Sequence, residues 1–170
     1  QMQLAQSLDM AALLNQNNKS KFNFYSGRAL EAIDKSIKAS PGRITIYFSK
    51  AQMYIIRNDK DNTIKTLKYA VSLNEKYSES VCYLAKVEIY FKEEVAGYAD
   101  LDKCLDLAGA GNLSPLDLIK MALNHYGEKK DQPRTLMLYK RWAQLEPANA
   151  KVVVNLSLLY AQAGDKVKAI

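Results

Sequence analysis

Apolar and small residues recur along this chain at the spacing of one helix face. In four successive segments the residues at positions i, i+3, i+4 and i+7 are mostly of these two kinds, apart from Lys50 and Glu88. That spacing is the period of an amphipathic α-helix and not of a strand. A second helical pattern follows, with a large residue between small ones. The first-helix faces are Tyr47, Lys50, Ala51, Tyr54; Val81, Leu84, Ala85, Glu88; Ile119, Ala122, Leu123, Tyr126; and Val153, Leu156, Ser157, Tyr160. The second-helix faces include Thr63, Leu67, Ala70 and Gly97, Leu101, Cys104.

A helix-ending motif repeats at nearly constant intervals. It occupies residues 36–41, 70–75, 104–109 and 142–147, which start 34, 34 and 38 residues apart. The four extra residues before the last copy fit a longer loop from Gly109 to Ser114. A fixed period of paired helices indicates a repeat protein, in which each pair buries its apolar face against the next.

These features resemble the tetratricopeptide repeat, a helix–turn–helix family of period 34. The family signature runs from a bulky residue through Leu-Gly or Leu-Ala and Tyr to Ala, Phe, Ala and Pro. Its closest counterpart here is Asn155 to Asp165, reading NLSLLYAQAGD, and the resemblance covers about residues 26–170. It implies an all-α, right-handed superhelical solenoid of antiparallel helix hairpins. It also implies a non-catalytic scaffold whose concave groove, lined by the first helices, binds a protein or peptide.

The repeat predicts a single array over residues 1–170. Its parts are 1–25, an atypical first helix and loop; 26–41, the second helix of the first hairpin; 42–75; 76–109; 110–147, with the insertion; and 148–170, a truncated fifth hairpin. Because the chain starts at Gln1 and stops just after a new helix opens, we interpret it as a piece of a longer protein. The compartment stays open: cytoplasm, or the extracytoplasmic soluble part of a membrane protein.

Two hairpins depart from the pattern. In the first, Leu4, Leu8, Ala11, Ala12 and Leu14 predict one helix face, residues 15–20 a polar break, and 29–39 the next helix. In the fourth, Leu123 and Trp142 stand where small residues are expected, which predicts an irregular crossing.

Turn residues mark the helix ends. Asn58-Asp59 and Gly164-Asp165 reverse the chain within hairpins. Ser114-Pro115, and Asp131 with Pro133, open helices. Pro41 and Pro147 end them.

Composition and charge narrow the function. The net charge is +6, divided as +5 over residues 1–60, −3 over 61–110 and +4 over 111–170. A nucleic-acid binder would instead carry one sustained basic stripe, so nucleic acid is disfavoured as a partner. With one histidine, His125, and no nucleophile elbow or phosphate-binding glycine loop, the chain is predicted to be no enzyme and to need no metal or cofactor. Cys104 takes a small packing position, and Cys82 lies nearer the groove.

The resemblance also assigns a groove. Its residues are Thr45, Phe48, Gln52, Ile55, Cys82, Lys86, Ile89, Lys120, Asn124, Val154, Asn155 and Leu158. Some family members hold a peptide carboxylate with Lys and Asn on successive repeats, and Lys120, Asn124 and Asn155 match the first three of those places. Ammonium and amide donors converging on a carboxylate would supply the affinity.

The expected partner is a protein or peptide and not a small-molecule substrate, with no membrane contact by this fragment. Two alternatives stay open. Residues 39–43, 46–48, 51–52 and 145–147 resemble soluble repeat regions attached to bacterial polysaccharide polymerase or O-antigen ligase-like membrane proteins, whose parent would be membrane-anchored. The other alternative is an RNA-binding helical repeat, which the absence of a recurring polar pair disfavours.

Overall fold

The computed structural model describes residues 1–108 and 116–165, and the secondary structure of that part of the chain is helical. Its helices are α1 (Met2–Leu14), α2 (Lys19–Ala39), α3 (Ile44–Ile56), α4 (Lys60–Leu73), α5 (Ser78–Tyr90), α6 (Glu94–Ala108), α7 (Leu116–Glu128), α8 (Gln132–Leu145) and α9 (Ala150–Gln162). Short turns join most successive helices, so packed neighbours run antiparallel. The all-α prediction is confirmed. The predicted loop from Gly109 to Ser114 and the cap at Ser114-Pro115 lie outside the described residues.

The chain divides into two compact units, Gln1–Asp100 and Leu101–Ile170. In the first unit α1 packs on α2, α2 on α3, α3 on α4 and α4 on α5. One core cluster joins α1, α2 and α3, and a second joins α3, α4 and α5. In the second unit α7 packs on α8 and α8 on α9.

Small residues are buried where the repeat places them. Ala51, Ala70, Ala85 and Cys104 are each fully buried. Gly97 is the tightest of these positions: a Cβ built there would lie 2.6 Å from Ile89 Cγ1 and 2.9 Å from the Ile89 backbone nitrogen. The two helices α5 and α6 therefore approach too closely at this point for any larger residue.

One backbone turn recurs within the hairpins. Asn58, Lys92, Lys130 and Gly164 have positive φ values of 53°, 65°, 56° and 82°. In each case the next residue's N–H donates to the carbonyl five residues earlier, at 2.8–2.9 Å. This is the hydrogen bond of a Schellman motif, which satisfies a carbonyl left open at a helix end. The turn recurs at the same point of each of these hairpins, so the repeat is visible in the backbone conformation as well as in the side chains.

Short polar side chains cap the starts of α2, α4, α8 and α9. Asp59 accepts a hydrogen bond from the Asn62 N–H at 3.2 Å, and Asp131 from the Arg134 N–H at 3.1 Å. Pro133 lies in the first turn of α8, where a missing N–H costs nothing. The predicted opening at Asp131 is confirmed.

The first hairpin differs from the sequence prediction. Its second helix begins at Lys19, ten residues before the expected start, because the Asn18 side chain accepts from the Lys21 N–H and caps the helix. In α1 the buried residues are Ala5 and Ala12. Leu4 and Leu14 are exposed, so the predicted leucine face was wrong for these two positions.

The fourth hairpin buries other residues than its signature position indicates. Trp142 is only half-buried; its indole N–H donates to Glu146 Oε2 at 2.8 Å, and its ring stacks on Tyr139. Within α8 it is Leu138 that is fully buried. The bulky tryptophan is thus accommodated at the edge of the helix contact.

A polar network in the second unit joins the residues on either side of the turn of that hairpin to Asp102 on α6. The Tyr126 hydroxyl lies 3.0 Å from both carboxylate oxygens of Asp102, and the Arg134 guanidinium lies over the Tyr126 ring at 4.9 Å. Burial, and next the hydrogen bond to Asp102, raises the pKa of Tyr126 to about 12.

The close approach at Gly97 leads to a stability test. Gly97→Ala should lower the free energy of unfolding by about 1–3 kcal/mol, since the new methyl group overlaps backbone as well as side-chain atoms. Gly27→Ala, in the interior of α2 with no atom near the added Cβ, should raise it by about 0.5–1 kcal/mol. Urea denaturation of both variants measures the difference, and equal effects would contradict the close crossing.

The recurring turn leads to a second test. Lys92 has a left-handed backbone conformation, which is unfavourable for any residue with a Cβ. Lys92→Gly should therefore stabilise the fold by up to about 1 kcal/mol. Lys76→Gly, at an exposed loop position with ordinary φ, should be neutral or destabilising. Thermal unfolding of the two variants compares them; a loss of stability at Lys92→Gly would rule out strain at this turn.

Candidate functional site

The first helices of the first unit border an open cavity of about 340 Å³. Its lining comes mainly from α1, α3 and α5, with one residue from α2. These are Met2, Ala5, Gln6, Asp9, Ile33, Phe48, Ser49, Gln52, Met53 and Tyr83. The volume lies at the lower end of the range of ligand sites, which suits one or two side chains better than a large molecule.

An aromatic wall forms one side of this cavity. The Phe48 ring packs edge-on against Tyr83 at 5.4 Å and stacks on Tyr77 at 6.5 Å. The Tyr83 hydroxyl donates to Gln52 Oε1 at 3.0 Å, which fixes both side chains across the α3–α5 boundary. Phe48 and Tyr83 also pack on the core cluster below, so the wall is held in place by the fold.

Asp9 is the single charged side chain among the described lining residues, and the single charged residue of α1. Its Oδ1 is buried and has no hydrogen-bond partner within the described structure. Burial raises the pKa of Asp9 above its usual range, because no nearby donor or cation offsets the lost hydration.

Glu88, another buried carboxylate of this unit, has partners. Its Oε1 lies 3.2 Å from the Lys68 ammonium, and it shares a side-chain hydrogen bond with Asp100. Burial is again the main cause of a raised pKa. Glu88 Oε2 has no hydrogen-bond partner within the described structure, as is the case for Asp9 Oδ1, and Glu88 also lines a cavity of its own. The two carboxylates differ because Glu88 is paired with the Lys68 ammonium, whereas no described cation pairs with Asp9.

The predicted groove residues of the first unit fall into two sets. Phe48 and Gln52 line the cavity, and Thr45 and Lys86 are exposed on the same helices, α3 and α5. The others are occupied by packing: Ile55 is half-buried on the core cluster, Ile89 lies against Gly97, and Cys82 is buried.

The cysteines have a state that the sequence did not indicate. No described cysteine is a free thiol. Cys104 also fills its small packing position, as expected from the repeat.

The predicted groove residues of the second unit lie on α7 and α9. Lys120 is exposed, and its ammonium lies 5.4 Å from the centre of the Trp142 ring. The Asn155 amide donates to the Tyr139 hydroxyl at 3.1 Å. Asn124, Val154 and Leu158 are exposed. Two of the three proposed carboxylate-binding groups thus already have partners within this unit.

The sequence analysis did not identify Tyr83 or the cavity-lining residues of α1, among them Asp9. The signal was present, since Met2, Ala5, Gln6 and Asp9 follow the spacing of one helix face. The leucines of α1 predicted that a different face of that helix is buried. Which face of a terminal helix meets its neighbours depends on packing and not on that helix alone.

No cluster of three or more metal-ligating side chains occurs among residues 1–108 and 116–165. In the same ranges no helix is both long enough and apolar enough to cross a bilayer. His125 packs edge-on against Tyr126.

Comparison with solved structures identifies the fold. The crystal structure of MamA matches with a TM-score of 0.58 at 18% identity, covering 89% of this chain and 86% of that one. YrrB, a TPR protein with an unusual peptide-binding site, matches with a TM-score of 0.56 at 14% identity, covering 98% and 88%. PilW, a type IV pilus biogenesis factor, gives 0.56 at 15%, covering 98% and 73%. The chain therefore has the tetratricopeptide fold, as predicted. No protein-family model and no curated protein sequence matches it.

The unpaired carboxylate in the cavity leads to a test of stability against pH. Because the pKa of Asp9 is higher in the folded chain than in the unfolded chain, the protonated side chain does not lower the free energy of unfolding. Ionised Asp9 does lower it, and this begins as pH rises past the unfolded-state pKa of about 4. Asp9→Asn should therefore gain stability over wild type between about pH 3 and pH 7, as measured by thermal unfolding. Asp61→Asn, at an exposed site on α4, is the control and should show no such gain. A constant difference across this range would contradict the burial cost.

Proposed function

We propose that this chain is a non-catalytic scaffold that binds a peptide or protein partner along the groove face of its first helices. The observation that carries the proposal is the cavity between α1, α3 and α5, with the aromatic wall of Phe48 and Tyr83. Aromatic rings held by a rigid fold are the usual anchors of protein-binding surfaces, because they bury large area at small entropy cost.

The fold supports this proposal in general terms. Stacked helix hairpins present extended surfaces, and chains built this way serve mainly as interaction modules. YrrB, similar in fold at 14% identity, is a TPR protein with an unusual peptide-binding site. At that identity the likeness concerns the fold, so the groove of this chain has to be argued from its own residues.

The proposed groove has a primary part and a flank. The primary part is the cavity, to which Phe48 and Gln52 contribute from α3. The flank comprises Thr45 and Lys86, which are exposed at positions open to a bound chain. A partner in an extended or helical conformation would place one or two side chains in the cavity and its backbone along the flank.

A selection experiment tests the proposal. Peptides selected from a random display library on the immobilised chain should lose at least about tenfold in affinity for a Gln52→Trp variant, because the indole would fill the cavity. Gln52 is exposed, so the substitution leaves the core untouched. Gln144→Trp, the same change at an exposed position of α8, is the matched control and should bind normally.

A second variant in the same experiment locates the site along the chain. Lys120→Ala, Asn124→Ala and Asn155→Ala together remove the proposed carboxylate-binding groups. We expect the selected peptides to bind this triple variant as they bind wild type. Loss of binding there, with Gln52→Trp unaffected, would move the site to the second unit and favour a carboxylate-bearing peptide end.

A further inference from the structure

The cavity of the first unit contains a carboxylate, which a purely apolar ligand would leave without a partner. Among its described lining residues are four aliphatic or thioether side chains, Met2, Ala5, Ile33 and Met53, and the single carboxylate Asp9. A buried carboxylate oxygen without a partner is costly and uncommon in folded proteins. Its place in the wall of an open cavity indicates that the missing partner comes from a ligand.

We propose that the cavity recognises a lysine or arginine side chain of the bound peptide, with Asp9 as the carboxylate that receives the charged head. This inference rests on the proposed function, and it adds the chemistry of the residue that occupies the cavity. It is carried by the position of Asp9, by the apolar surface beside it and by the charges of the neighbouring side chains.

The charges nearby leave Asp9 available to such a ligand. Of the basic residues on or next to α3, Lys50 pairs with Asp34 at 2.7 Å, and Arg57 donates to the Ser26 hydroxyl at 2.9 Å. The third, Arg43, is exposed at the start of the helix, and none of the three lines the cavity. The other polar lining groups, Gln6, Ser49 and the Gln52–Tyr83 pair, are neutral, so the cavity carries one negative charge.

The apolar lining suits the stem of a long basic side chain. Lysine and arginine cover apolar surface with their methylene groups while the charged head reaches a polar partner. Met2 and Met53 are unbranched and adapt to ligands of different shape. A free metal ion would fit poorly, because it needs several oxygen or nitrogen ligands and only one carboxylate is present among the described lining residues.

A neutral ligand would offset only part of the free-energy cost of the buried Asp9 carboxylate. An amide or hydroxyl donor could hydrogen-bond to Asp9 Oδ1, but it would not neutralise the charge held in a partly dehydrated site. A hydrogen bond between two charged groups is about twice as strong as one between neutral groups. The cavity should therefore prefer a cation to a neutral isostere of the same shape.

The test uses defined peptide probes and the complete chain. Two pools of biotinylated peptides with amidated carboxyl ends carry a central residue flanked by Leu, Ile, Phe or Met and then by Ala, Gly or Ser. The central residue is arginine in one pool and citrulline, its neutral isostere, in the other. Binding is measured by biolayer interferometry with the peptides immobilised, on wild type, Asp9→Asn, Gln52→Trp and the charge control Asp61→Asn.

The expected result is about tenfold tighter binding of the arginine pool by wild type and by Asp61→Asn, with no preference in Asp9→Asn. Equal binding of both pools by wild type, or a preference that survives in Asp9→Asn, would overturn the assignment of Asp9. In either case, binding lost in Gln52→Trp would leave the proposed groove intact. Binding of neither pool would overturn the inference together with the proposed groove.

A second copy of this chain is the competing occupant. Wild type should therefore run as a monomer in size-exclusion chromatography with light scattering at the concentrations of the binding assay. Self-association that Asp9→Asn abolishes and Asp61→Asn preserves would assign the cavity to a basic side chain of another copy, and would overturn recognition of a separate peptide.

Discussion

The close crossing of neighbouring helices is the constraint on which the rest of this structure depends. At Gly97 even a single Cβ would overlap the backbone of α5, and at Ala51, Ala70 and Ala85 the side chains are fully buried. Helices that approach this closely exclude water along their length, and larger residues fill the spaces beside the contact. Because these small residues occupy the helix contacts, other residues of α1, α3 and α5 are left to line the cavity.

The recurring turn fixes the direction of each hairpin. A left-handed residue followed by a hydrogen bond to the carbonyl five residues back ends α3, α5, α7 and α9 at the same phase. Asp59 and Asp131 then cap the next helix one residue later. A turn closed from both sides leaves little freedom in the angle between paired helices. Phe48 and Tyr83 lie on different hairpins, and they are held in one wall by the core cluster of α3, α4 and α5 and by the hydrogen bond between Gln52 and Tyr83.

The sequence predicted these hairpins because helix period and small crossing residues are properties of the local chain. Thr63, Leu67 and Ala70 are all buried as expected, and so are Leu101 and Cys104. The misses arise where tertiary packing decides. In the first hairpin, a cap at Asn18 extends α2 through a segment that reads as a polar break. For the candidate site, Phe48 and Gln52 followed from the repeat, whereas Asp9 lies on a helix without a clear signature.

The proposed groove would allow a repeat protein to acquire specificity without altering its packing. The residues that hold the hairpins together are small or apolar and face the helix contacts, whereas Asp9, Gln52 and Tyr83 face the cavity. Asp9 makes no described contact that stabilises the free chain, and its burial opposes the ionised state. A carboxylate in this position is unfavourable in the free chain and becomes favourable when a cation binds. Since stability selects against such a residue and binding selects for it, Asp9 is better explained by recognition than by folding.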